Sequence, residues 1–123
     1  MIEKFDEKLP IYMQVANIIK KQIISSELKK GDKLPSVREL SSILKVNPNT
    51  VQRAYGELDK EKLTFTQRGT GSFVTEDENK INSLRKEMAS EVIEFFFKEM
   101  KELGFKLEDI KDIVLEKIQG EEK

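Results

Sequence analysis

The sequence predicts a mainly α-helical fold with one small β-hairpin, three helices ahead of the hairpin and a pair behind it. Three observations carry that expectation. Apolar residues recur at helical spacing over residues 10–26 and again beyond residue 78. Two helix starts, at Ser36 and Asn47, lie close together, and β-forming residues flank the turn stretch Arg68, Gly69, Thr70, Gly71. The length, 123 residues, suits one domain with a small appendage.

The first helix is expected from about Pro10, whose fixed φ and missing N–H suit a first turn, to about Ser26. Its inward stripe is Tyr12, Val15, Ala16, Ile19 and Ile23, with Gln14, Asn17, Lys20 and Lys21 outside it. After a turn at Lys30, Gly31 and Asp32, Ser36 to Glu39 reads as a capping box that opens a short second helix with Val37, Leu40 and Leu44 inward. Asn47 followed by Pro48 opens a third helix to about Lys60. Its inward stripe, Val51, Ala54, Tyr55 and Leu58, leaves Asn49, Gln52, Arg53 and Gly56 on the opposite face. Leu63 to Gln67 and Ser72 to Val74 form the hairpin, with Leu63, Phe65, Phe73 and Val74 expected to fasten it to the helices. A long helix from about Glu78 to Leu103, ended by Gly104, and a last helix from Leu107 to Gln119 complete the chain.

Composition removes whole classes of function. There is no cysteine and no histidine, so disulfide frameworks, thiolate zinc sites and the usual general base are absent. No phosphate loop or nucleophile elbow is present either, so an enzyme is not expected and no cofactor or metal is called for. Glu108, Asp109 and Asp112 lack the calcium-loop pattern and read as the acidic first turn of the last helix. The opening MIEKFDEKLP has neither the basic nor the apolar region of a signal peptide, and no apolar run approaches the roughly 20 residues of a membrane span. A cytoplasmic protein without membrane contact is the expectation.

A nearly neutral total of 22 basic and 23 acidic residues hides an asymmetry. Up to Thr75 there are 13 basic and 9 acidic residues, and after it 9 and 14. The boundary is placed there, with residues 1–75 as one domain and 76–123 as a two-helix tail. A basic first half suits a polyanionic partner. Three helices with a tight turn between the last two, followed by a glycine-tipped hairpin, make a winged helix-turn-helix. In that arrangement the third helix enters the major groove of double-stranded DNA. Asn49, Gln52 and Arg53 have the donors to read adenine and guanine edges there. Arg38 is a candidate phosphate or base contact, and Arg68 with Gly69 could enter the minor groove. Each has a bland alternative: Arg53 solvated, Asn49 serving the cap, Arg38 paired with Glu39 or Asp32, and glycine at a hairpin tip meeting only a turn requirement.

The run LPSVRELSSILKVNPNTVQRAYGELDKEKLTFTQRGTGSFV resembles the DNA-binding domain of GntR-family bacterial transcription regulators, and the likeness extends from about Leu9 to Val74. The resemblance implies a sequence-specific winged-helix repressor or activator. It puts the DNA contacts on Arg38, Asn49, Thr50, Gln52 or Arg53, Arg68 and Gly69. Pro48 stands where many relatives carry arginine. Lys62 stands where a glycine commonly ends the third helix, which implies a positive φ at Lys62 or a different turn. Only 48 residues follow Thr75, too few for a full effector domain. Together with the NPNTV wording, they are similar to the short tail of the YtrA-like branch, which commonly regulates transporter operons. No small-molecule effector can be named from these residues.

The tail is expected to form a homodimer. Phe95, Phe96 and Phe97 spread over most of the circumference of one helix, so two helices of one chain cannot cover them all. Leu84, Met88, Val92, Phe95, Phe96, Phe97, Ile110 and Val114 are the candidate dimer residues. The alternative is that the phenylalanines fold back onto the winged domain of their own chain. A two-fold dimer would read a pseudo-palindromic operator. The rival function is a winged helix used for protein contact without DNA.

Overall fold

The computed structural model describes residues 8–122. The part of the leader expectation that rests on residues 1–7 lies outside the described residues. The elements are α1 (Ile11–Ile24), α2 (Val37–Leu44), α3 (Pro48–Lys60), β1 (Thr64–Gln67), β2 (Gly71–Val74), α4 (Glu78–Glu102) and α5 (Leu107–Glu121). The fold is mainly helical with a two-stranded antiparallel hairpin, as the sequence predicts. The chain divides into two compact units, one ending at Arg85 and the other beginning at Lys86. The division falls inside α4, beyond the charge change at Thr75.

In the first unit, Val15, Ile19 and Ile23 of α1 meet a core that also holds Leu40, Val51, Ala54, Leu58, Leu63 and Val74. Pro10 is the N-cap of α1, one residue before the helix. Gln14 departs from the expected stripe: it is buried, and its amide Nε2 donates to Leu9 O at 2.8 Å, so a polar side chain reaches inward because a backbone acceptor waits there. Val37 and Leu44 are only half-buried, which leaves Leu40 as the main apolar anchor of α2.

The turns follow local chemistry. Asn47 caps α3 through Asn49 N–H, and Pro48 takes the first helical position. Lys62 adopts φ 62°, while its N–H donates to Asp59 O and Leu63 N–H donates to Leu58 O. This is the bonding of a Schellman motif, with lysine in the position usually held by glycine.

The hairpin pairs Thr64 with Val74 and Phe65 with Phe73. Leu63 and Val74 are buried, but Phe65 is 39% exposed and stacks on half-buried Phe73 with ring centroids 5.6 Å apart. Phe65 therefore braces its cross-strand neighbour and does not enter the core. The hairpin gains a further edge from the segment after α1: Gly31 N–H donates to Val74 O, Val74 N–H to Asp32 O and Leu34 N–H to Ser72 O. Those bonds anchor a ribbon that two strands alone would hold poorly.

The opening turns of α4 belong to this unit. Ile81 and Leu84 are buried, and the Arg85 guanidinium donates from Nε and Nη2 to Ile24 O at 3.2 and 2.8 Å, satisfying a carbonyl at the end of α1. Leu84, one of the candidate dimer residues, is thus buried in the core of this unit, where the first turns of α4 pack.

In the second unit, Gly104 ends α4 with φ 93°, and Lys106 N–H donates to the Asp109 carboxylate at the start of α5. Ile110 is 1% exposed, so this second expected dimer residue is already covered by its own chain. Other apolar residues of α5 are not: Leu107 is 62% exposed and Ile118 48%. Met88, Phe96 and Val114 are half-buried, whereas Val92, Phe95 and Phe97 are exposed. Among the described residues no helix is long and apolar enough to cross a membrane.

Candidate nucleic-acid interface

The start of α2 is fixed by reciprocal bonds between Ser36 and Glu39, which place Arg38 in the first turn. Arg38 is exposed and has no ion pair among the described residues. The partners suggested for it are engaged elsewhere: Glu39 in the cap, and Asp32 accepting from Lys29 N–H at 2.8 Å.

Tyr55 sets α3 against this start. Its hydroxyl donates to Pro35 O at 2.6 Å across the turn before α2. Burial, with the Glu39 carboxylate adding to it, pushes the Tyr55 phenol well above its ordinary range, so it remains a donor.

The outward face of α3 has two edges. At 100° per residue, Asn49 lies centrally, Gln52 and Gly56 to one side, and Arg53 to the other. Gln52 and Gly56 line an open cleft of about 570 Å³ whose other walls are the start of α2 and wing residues 66–72. The cleft therefore brings Gln52, Arg68 and Gly69 together. Gly69 has φ 79° with open space around it, so the turn geometry demands glycine and leaves the backbone accessible. Arg53 is not in the cleft. Its guanidinium carbon lies 3.8 Å from the centroid of the Tyr12 ring in the first turn of α1. Asn49 is exposed beside the cap and Thr50 is half-buried, with its N–H donating to Asn47 O.

Two features of the site were missed in the sequence. Tyr12 follows the inward stripe, and nothing in its spacing announces a partner on another helix. Asp59 fastens the wing: Thr64 and Thr66 hydroxyls donate to its two carboxylate oxygens, and Thr66 also meets the Ser72 hydroxyl at 3.1 Å. Here a signal existed, since threonines two apart on a strand share a face.

Residues 11–74 match the family model described as "Bacterial regulatory proteins, gntR family". The HTH-type transcriptional regulator YhcF of Bacillus subtilis (strain 168) is 43% identical over 110 residues, which cover 89% of this chain and 91% of that protein. The HTH-type transcriptional repressor YtrA of the same organism is 38% identical over 91 residues, covering 69% and 70% respectively. Among solved structures, a GntR family transcriptional regulator from Listeria monocytogenes superposes with a TM-score of 0.82 at 43% identity, over 91% of this chain and 98% of that one. Those relatives are regulators and not enzymes. With a winged helix-turn-helix whose exposed donors flank an open cleft, and a match to the family model over most of that unit, the chain belongs to the GntR family of bacterial transcription regulators.

Proposed function

We propose that this GntR-family regulator works as a homodimeric repressor that reads a pseudo-palindromic operator. The observation that carries the reading is the outward face of α3: Asn49, Gln52 and Arg53 are exposed, no bulky hydrophobe interrupts them, and the wing residues Arg68 and Gly69 stand across the cleft from Gln52. Donors of these types match base edges in the major groove, and Arg38 supplies charge for the phosphate backbone. Similarity to YtrA, a repressor by name, favours repression. The likeness to the YtrA-like branch extends the proposal to a transporter operon.

The dimer part rests on the second unit, where Val92 and Phe95 are 65% and 62% exposed and Leu103 71%. Burying one such side chain contributes about 1.5–3 kcal/mol. A second copy is the partner proposed for Val92, Phe95 and Phe97, with half-buried Met88, Phe96 and Val114 beside them. Phe96, Val114, Ile113 and Ile118 line a groove of about 400 Å³. Gel shifts on DNA upstream of the chain's own gene, at rising salt, test DNA reading: affinity should fall steeply as counterions are released. No shift at low salt would favour protein contact instead. Phe95→Asp should give monomers in sedimentation and weaken operator binding; an intact dimer would remove the tail from that role.

A further inference from the structure

We infer that Tyr12 is a positioning residue for Arg53, holding its guanidinium at the α1 edge of the recognition face to meet a guanine. The inference rests on the DNA reading above and adds a residue outside the helix-turn-helix to it. Arg53 is exposed, whereas Tyr12 is half-buried in the first turn of α1, so the ring is the fixed partner and the cation the mobile one. The guanidinium carbon sits over the ring, 3.8 Å from its centroid, well within the range of a cation–π contact.

The chemistry of the pair favours presentation over sequestration. An aromatic face attracts the cation through its π-cloud and takes none of the N–H donors into a conventional hydrogen bond. Arg53 makes no ion pair among the described residues, so no carboxylate competes for those donors. Arginine is otherwise rich in rotamers, and one already held loses less freedom when it binds. The planar fork then matches the O6 and N7 acceptors of guanine. Gln52, at the opposite edge, faces the cleft, so the two edges of α3 are prepared differently: one by an aromatic support and one by the wing.

The test uses the full chain and the duplex that wild type enriches from a random-sequence library. Tyr12→Phe keeps the ring and should keep both affinity and motif. Tyr12→Leu should weaken binding by about two- to fivefold. It should also blur the same guanine position that Arg53→Ala blurs, and the double variant should bind no worse than Arg53→Ala alone. Thermal unfolding of each variant separates a mere staple between helices, which would lower the melting temperature with the motif unchanged and the two binding losses additive. That result, or wild-type affinity and motif in Tyr12→Leu, overturns the inference while the DNA reading stands. Weaker binding with an unchanged motif overturns the guanine assignment. If wild type enriches no duplex, the DNA reading fails and the role of Tyr12 fails with it.

Discussion

Ser36 and Glu39 exchange hydrogen bonds: Glu39 N–H donates to the Ser36 hydroxyl and Ser36 N–H donates to the Glu39 carboxylate, each at 3.1 Å. The bond from the Ser36 backbone, then its hydroxyl, and then the nearby charge of Lys33 hold the Glu39 carboxyl below its ordinary value. Because the folded value is depressed, the unfolded chain takes up the proton more readily, and the stabilisation belongs to pH above the ordinary glutamate range. It is lost as pH falls through the depressed folded value. Glu39→Gln keeps a capping partner but removes the titration. The expected outcome is a melting-temperature advantage of wild type at neutral pH that shrinks to nothing in acid; an advantage unchanged with pH would contradict it.

Removing the Tyr55 hydroxyl leaves Pro35 O without its protein donor. Tyr55→Phe should cost about 1–2 kcal/mol in urea unfolding. In wild type, ultraviolet titration should show the Tyr55 phenolate forming only well above the ordinary phenol range, because burial opposes the charge.

Asp59 holds two wing threonines at once, one of them buried. Asp59→Ala should destabilise the chain by about 1.5–3 kcal/mol, the range for hydrogen bonds to a charged group. Because the same bonds hold the wing beside α3, duplex affinity should fall even at temperatures where far-ultraviolet circular dichroism reports a folded chain.

Lys62 sits at φ 62°, a conformation that disfavours side chains. Lys62→Gly should stabilise by about 0.5–1 kcal/mol in urea unfolding, the relief of strain being partly offset by the greater freedom of glycine in the unfolded chain. A loss of stability would mean that the lysine side chain does more than tolerate the turn.

Where local chemistry decides, the sequence was legible. Ser36, Asn47, Pro48 and Gly104 mark helix ends that the structure reproduces; at Lys62, where the family resemblance implied a positive φ or a different turn, the φ is positive. What escaped was decided by partners distant in sequence. Gly31 to Leu34 has no β alternation, yet its backbone completes the wing edge because β2 offers unpaired groups beside it. Leu84 and Ile110 share the spacing of their exposed neighbours, and only packing separates core from surface. Arg53 carried a DNA-contact expectation, but its stack on Tyr12 links positions 41 residues apart that no helical period connects.

In the proposed assembly two copies of this chain present the α3 face to duplex DNA. Sequencing the duplexes that the full wild-type chain enriches from a random library tests it most directly. The proposed dimer predicts an inverted repeat with half-site centres about one helical turn apart, about 10 base pairs, or a multiple of that spacing. It also predicts that the repeat degrades in Asn49→Ala and Gln52→Ala. No enrichment, or a single half-site with no inverted mate, would contradict it.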